Sequence, residues 1–446
     1  MLRVLCSLTI LLLLAACAPA SSPSTAATSI PTPTPTPRPR AALPRSAALA
    51  MQLPGQVEQL ALAVHPQDGW PALGAVSYWN FGGDPARFTV RAYDPAAHAW
   101  GPARQLDTGP ASLGGDAFHG GAVGIGPEGE IVAAWGASDA DGGLWASESA
   151  DAGQTWTEPA RIATNCWHVR SVVVAPSGEI TVLAFCVATT RDQHGTSPVI
   201  ITRTADGRWL PLVLLPVIAW DGALVQTATQ LVALVVPQLG GDQPHVGTVL
   251  TQPLDQPGAP WRIQSVPLVP PGLSPDVLGL YAWHVAGVAT PQGALFTYTG
   301  YDRASVFALR VVDGEAQPPV AVVSDTESSR ARVRFIWYGV PASDPATGAL
   351  VTLWGCCGSP IDPAPTHLYG AWSADGTVWH APLQTAPVEE GGPLLLDQPG
   401  RLEALASAQA PDTRAIWLAS VVDGQTVQAQ LLPLDQLVPP QLEVQP

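Results

Sequence analysis

The side chains of this chain most able to do chemistry by type and spacing stand in SADAGQTWTEPARI, residues 149–162. Ser149, Asp151, Gly153, Thr155 and Trp156 place a carboxylate between two hydroxyls, ahead of an indole. An Asp in such a run can exchange protons with a substrate. It can equally accept the backbone N–H groups of a tight turn, with Ser or Thr assisting and Gly supplying the positive φ the turn needs. Recurrence decides between them. SADGTVWHAP begins at Ser373, TADGRWLPL at Thr204, YDPAAHAWGPA at Tyr93 and LDQPGAPWRI at Leu254, while VVDGEAQ at Val311 and VVDGQTVQ at Val421 keep only Asp-Gly. Their aspartates, Asp94, Asp151, Asp206, Asp255, Asp313, Asp375 and Asp423, follow one another at 57, 55, 49, 58, 62 and 48 residues. That rhythm is one of hairpin turns, so Asp151 and Asp375 are expected to staple turns rather than move protons.

A second set of reactive residue types lies between these turns. NCWHVR carries Trp167, His168 and Arg170; LYAWHVAG carries Tyr281, Trp283 and His284; DAFHGG carries Asp116 and His119. TGYDRA adds Tyr301, Asp302 and Arg303, and SSRARVRF adds Arg332 beside Arg330 and Arg334. Aromatic, His and Arg side chains around one mouth can stack on and hydrogen-bond a sugar or anchor a peptide; they can also simply pack loops together. His119, His168 and His284 do not show by spacing alone that they converge, and no metal or cofactor is assigned.

The elements that would carry these residues are strands. GAVGIGPEGEIVAAW, SVVVAPSGEITVLAF, AGVATPQGALFTYT and PASDPATGALVTLWG each set a Pro/Gly turn before an alternating apolar run. The turn residues are Gly69, Gly129, Gly178, Thr229 in place of Gly, Gly293, Gly348 and Gly400. Each unit reads as strand, short turn, strand, variable loop, strand, Asp turn, strand. Four antiparallel strands repeating about every 55 residues predict an all-β chain folded as a β-propeller. Seven blades are expected between about residues 57 and 434, or six if the last unit belongs elsewhere.

Ser149-x-Asp151-x-Gly153-x-Thr155-Trp156 resembles the Asp-box, or BNR repeat, of sialidase-like propellers; Ser373-x-Asp375-Gly376-x-x-Trp379 resembles it with one residue fewer. The resemblance implies that both boxes sit at strand 3 to strand 4 turns, on the face opposite the ligand, with Trp156 and Trp379 packing behind them. Sialidases clamp a carboxylate with three Arg, the first in an Arg-Ile-Pro motif ahead of the first blade. The matching segment here, AMQLPGQVEQLALAV, has no Arg. Binding of a glycan or a cell-envelope protein without catalysis is therefore expected, the alternative being a divergent sialidase-like exo-glycoside hydrolase.

Composition narrows the partners. The chain has 446 residues, 13% charged, a net charge of −16 and no Lys. Without a basic stripe to collect phosphates it is not expected to bind nucleic acid. Arg3, the apolar run LTILLLLAA and LAAC at 14–17 resemble a bacterial lipoprotein signal and lipobox. That run is too short for an ordinary membrane-spanning helix. The resemblance implies a signal peptide over 1–16, lipidation of Cys17 and anchoring outside the cytoplasm on the bacterial cell membrane. Residues 17–45, rich in Pro and Thr, read as an extended stalk, and 46–446 as the propeller, expected to be a monomer. Cys166 and Cys186 fall opposite each other across a hairpin and are expected to form a disulfide. The adjacent Cys356 and Cys357 form either a vicinal disulfide in a rigid turn or two free thiols.

Overall fold

In a computed structural model the chain divides into Met1–Arg40 and Ala41–Pro446. The structure describes residues 49–438 except 54, 79–85, 109–112, 114–119, 138–142, 188–195, 238–244, 257, 279–281, 301–304, 324–335, 345, 357–366, 381–393, 398–404, 410–413 and 423–424. Cys17 and Cys357 lie outside these residues, and of Cys356 only the backbone is described, as the last residue of a strand.

The described strands form seven antiparallel sheets of four strands each, a seven-bladed β-propeller; in blades 1 and 5 the outermost strand comes in two pieces. Numbering strands outward from the axis, strand 1 of each blade is Gln56–Val64, Gly121–Ile125, Cys166–Val174, Asp221–Gln226, Ala282–Thr290, Ile336–Ser343 and Leu405–Gln409. Strand 2 lies between two neighbours and two covered faces, which explains its unbroken apolar composition. Ile131–Ala137 in blade 2 is buried at all seven positions.

No blade can cover its own faces, so the core lies between blades. Each interface has its apolar cluster. Phe88, Leu113 and Trp135 join blades 1 and 2; Val169, Val182 and Leu144 join 2 and 3; Phe185, Leu224 and Leu250 join 3 and 4. The same packing continues with Leu234, Phe296 and Leu309 between 4 and 5, Val306, Trp354 and Tyr369 between 5 and 6, and Leu353, Ile416 and Leu432 between 6 and 7.

Closure corrects the seventh unit of the sequence reading. Blade 7 takes strands 1 to 3 from Leu405–Gln409, Ala415–Val422 and Thr426–Pro433, and its outermost strand from Leu49–Gln52. Position 423 therefore falls between strands 2 and 3 rather than 3 and 4, and position 400 precedes strand 1. The reason is physical: the ring has two edges to join, and a strand from the far end of the chain removes both. Leu49, Met51 and Leu53 are buried with Val427 and Ala429 of blade 7 and Leu73 of blade 1. Trp417 of blade 7 donates through Nε1 to the Gly69 carbonyl of blade 1 at 2.9 Å.

In blades 1 to 6 the Asp turns do connect strands 3 and 4. In the Ser149 turn, Asp151 Oδ1 accepts from Thr155 N at 2.8 Å and Ser149 Oγ at 2.8 Å, and Oδ2 accepts from Thr155 Oγ1 at 2.6 Å. Gly153, at φ 85°, donates its N–H to Ser149 Oγ, and Trp156 Nε1 donates to the Gly153 carbonyl. The Ser373 copy repeats this: Gly376 N donates to Ser373 Oγ, and Thr377 donates through N and Oγ1 to Asp375. These hydrogen bonds, Thr155 and Thr377 foremost, hold both carboxyls below the usual range, as expected of carboxylates committed to a turn. Trp156 and Trp379 pack in the clusters between blades. Among the described residues, no helix is long and apolar enough to cross a membrane.

Candidate functional site

Strand 1 of successive blades walls a central channel of about 230 Å³. Six of these strands contribute described lining, and the polar side chains among it are Gln59, Arg170, Ser171 and His284. Strand 1 of every blade starts at one face, here called the mouth, which also holds the strand 2 to strand 3 connections. The opposite face, the floor, holds the Asp turns.

Three of the sequence-named residues sit where strand 1 breaks its register. The pairing of blade 3 shifts between Cys166 and His168 and again between Val169 and Ser171, so Trp167 and Arg170 are the extra residues. In blade 5 it shifts between Trp283 and Ala286, around His284. A bulge re-aims a side chain that the regular pleat would send elsewhere. His284 has φ 51°, a left-handed conformation costly for a residue with a Cβ. It faces the channel while walled in by protein, and burial first, then the Arg170 guanidinium, drives its pKa well below the usual histidine value. The ring is therefore neutral at pH 7.

Arg170 forms an ion pair with Asp221, the first residue of strand 1 in blade 4. Asp221 also accepts from its neighbour Gly222 N at 2.7 Å and, through Oδ2, from Val285 N of blade 5 at 3.2 Å. One 3%-exposed carboxylate thus ties three blades together just inside the mouth. Arg170 and Gly222 N hold Oδ1 and Val285 N holds Oδ2, so attack or proton transfer through either oxygen would compete with that tie.

Aromatic rings surround this tie. Trp167 meets Trp220 edge-on at 6.0 Å and His168 at 5.9 Å, and His168 meets Phe185 at 6.1 Å. Trp283 lies against His284 at 5.1 Å. Trp167, Trp220 and Trp283 are each half-buried. The Cys166–Cys186 disulfide joins directly paired residues of strands 1 and 2 and fixes the backbone immediately before Trp167. Trp167 is held from the other side by Gly136 of blade 2, where a Cβ would lie 1.9 Å from the Trp167 carbonyl oxygen.

The structure thus brings Trp167, His168, Arg170 and their partners together at blades 3 and 4, and sets Trp283 and His284 on blade 5. Asp116, His119, Tyr281, Tyr301, Asp302, Arg303 and Arg332 lie outside the described residues. Trp220 and Asp221 went unnamed in the sequence reading, although AWDG opens blade 4 as NCWH opens blade 3 and AWHV opens blade 5. Among the described residues, no three His, Cys, Asp or Glu stand together as a metal would require.

No protein-family model and no curated protein sequence matches the chain. Among solved structures it is similar to the α-L-arabinofuranosidase Arb93A from Fusarium graminearum in complex with an iminosugar inhibitor. The identity is 12%, the TM-score 0.46, and the match covers 73% of this chain and 97% of that one. A structure of the GH93 α-L-arabinofuranosidase of the same organism with arabinobiose gives the same values. A protein of unknown function from Dyadobacter fermentans follows at 11% identity and TM-score 0.45, covering 73% of this chain and 98% of that one.

Proposed function

We propose that this chain is a surface lipoprotein whose propeller binds a glycan or a cell-envelope protein at the channel mouth without turning it over. Cys17 carries the lipid, residues 17–45 form the stalk, the body stands outside the cytoplasm on the bacterial cell membrane, and the Ser149 and Ser373 turns are Asp-boxes. One observation carries the non-catalytic part: both oxygens of Asp221, an acid that the described residues place at the mouth, are engaged, Oδ1 by Arg170 and Gly222 N and Oδ2 by Val285 N. Glycoside hydrolysis needs two carboxyl groups, or an equivalent nucleophile and acid, open to the substrate. What favours a glycan over other ligands is the half-buried arc of Trp167, Trp220 and Trp283 beside hydrogen-bonding groups, a surface on which the apolar faces of sugars stack.

The test is a glycan array probed with residues 46–446, with pull-downs from cell-envelope extract in parallel. The reading expects a defined set of ligands whose capture is lost in Trp220→Ala. Capture by neither route, or capture unchanged by that substitution, would contradict it.

A further inference from the structure

Below the arc of Trp167, Trp220 and Trp283 the polar side chains of the channel gather at one depth. Gln59, Arg170, Ser171 and His284 all fall between the third and sixth residues of strand 1, on blades 1, 3 and 5. Beyond them, toward the floor, the lining is Leu62, Val172, Ala286 and Pro341. A ligand's hydrogen-bonding groups are therefore met at a single level, with aliphatic wall below. The channel's 230 Å³ also falls short of the roughly 300–1,000 Å³ that encloses a drug-sized molecule. It has room for the end of a chain and not for a length of one.

The charges at that level cancel. Among the described lining Arg170 is the one charged side chain, and its guanidinium is paired with Asp221. A carboxylate that took Arg170 would leave Asp221, 3% exposed, with only the N–H groups of Gly222 and Val285. A buried charge deprived of its partner is costly. The net charge of −16 opposes the approach of an anion as well.

A hydroxyl meets neither obstacle. Ser171 Oγ accepts from Leu224 N at 3.1 Å and keeps its own hydrogen to donate. The Gln59 amide gives one N–H to the Gly121 carbonyl at 3.4 Å and keeps a second N–H and its oxygen. His284 stands at the same level as a neutral ring, because burial disfavours its cation.

We propose that the channel takes the terminal unit of an uncharged glycan, end on, and turns away chains ended by a carboxylated sugar. The inference rests on the glycan reading above and says which glycans it admits. The terminal hydroxyls meet Gln59 and Ser171, and the units behind them stack on the tryptophan arc.

The test is capture by the full chain on an array of matched pairs: oligosaccharides ended by glucose, galactose or mannose, each beside the same chain ended by the corresponding uronic acid. The neutral-ended member is expected to be retained at least about tenfold better than its acid-ended partner. Asp221→Asn removes the competitor for Arg170 and should narrow that ratio at least about threefold. Gln59→Ala, away from the Arg170–Asp221 pair, should lower capture of neutral ends at least about fivefold with the melting temperature little changed. A ratio untouched by Asp221→Asn, or capture untouched by Gln59→Ala, would overturn the inference. So would equal or stronger capture of the acid-ended chains; where that capture is still lost in Trp220→Ala, the binding mouth stands without it. Capture of no glycan at all would remove both readings.

Discussion

Arg170 and Asp221 meet across the boundary between blades 3 and 4, and the second oxygen of Asp221 reaches the backbone of Val285 in blade 5. A propeller opens by separating neighbouring blades, so the contacts of Asp221, which together cross two boundaries, resist opening at the mouth. Removing one partner of a buried pair leaves an uncompensated charge, which costs more than the pair itself contributes.

Arg170→Ala is accordingly expected to destabilise the body by about 3 kcal/mol, measured by urea unfolding. Asp221→Asn should cost less, because Asn Oδ1 still accepts from a backbone N–H. A double variant, Arg170→Leu with Asp221→Asn, should recover part of the Arg170→Ala loss. Additive losses would show that the two residues do not act as a pair.

Two buried groups give the stability opposite pH dependences. His65 accepts from Asp68 N through Nδ1 at 2.9 Å, and its Nε2 lies 3.2 Å from the Pro127 carbonyl of blade 2, so the ring serves its turn as the neutral Nε2–H form. Burial lowers its pKa, with Asp68 opposing. Its contribution is complete above the unfolded value near 6.5 and lost as pH falls through the lowered folded value. The melting temperature should fall on acidification below about pH 6.5, and His65→Gln should flatten that fall.

Asp107 behaves in the other sense. It is 2% exposed and accepts from Phe88 N at 2.8 Å through Oδ1, while Oδ2 is buried and finds no hydrogen-bond partner among the described residues. Burial pushes its carboxyl up to about 6. The folded state then prefers the protonated acid, and stability is lost as pH rises from about 4 through 6. Asp107→Asn should stabilise the body by about 1–2 kcal/mol near pH 7.5 and by nothing near pH 4. A gain that is the same at both pH values would assign the effect to packing instead.

Gly136 marks where blade 2 makes room for blade 3. With a Cβ 1.9 Å from the Trp167 carbonyl, Gly136→Ala must displace the backbone beneath the indole. The expected result is a loss of about 2 kcal/mol or more together with weaker ligand capture at the mouth. Gly258→Ala, where a Cβ meets nothing within 4 Å, tests backbone strain alone and should leave capture intact.

Most of the architecture was legible in the sequence because one requirement recurs around the ring. Each blade must turn between strands 3 and 4, and Asp with Gly satisfies that turn locally, so Asp151 and Asp375 announce themselves without any knowledge of the ring. The Cys166–Cys186 disulfide was legible for the same reason, as a hairpin fixes its own register. The closing strand was not, because Leu49–Gln52 has only four residues and its partner, Thr426–Pro433, comes from the far end of the chain. Asp221 was hidden by its context, since AWDG looks like one more Asp-Gly turn. What distinguishes it is the Trp before it, placed like Trp167 and Trp283 at the entry to an inner strand. The bulges that aim Arg170 and His284 into the channel left no mark in composition or periodicity, because a bulge is set by the partner strand.

The clasp itself is open to a direct comparison. A chain beginning at residue 54 lacks Leu49, Met51 and Leu53, each 4% exposed. Burying three such side chains is worth about 5 kcal/mol or more. It should unfold well below the temperature of a chain beginning at 46, or aggregate through the bared edge of blade 7. Equal melting temperatures would mean that the ring holds without its outer strand there.

The measurement that bears most directly on a binding mouth without catalysis is turnover of a panel of fluorogenic glycosides, sialosides and arabinofuranosides included, by residues 46–446. The account predicts no release above that of an Arg170→Ala, Asp221→Asn double variant. Hydrolysis by the wild-type body that vanishes in that variant would contradict it and make the Arg170–Asp221 pair part of a catalytic site.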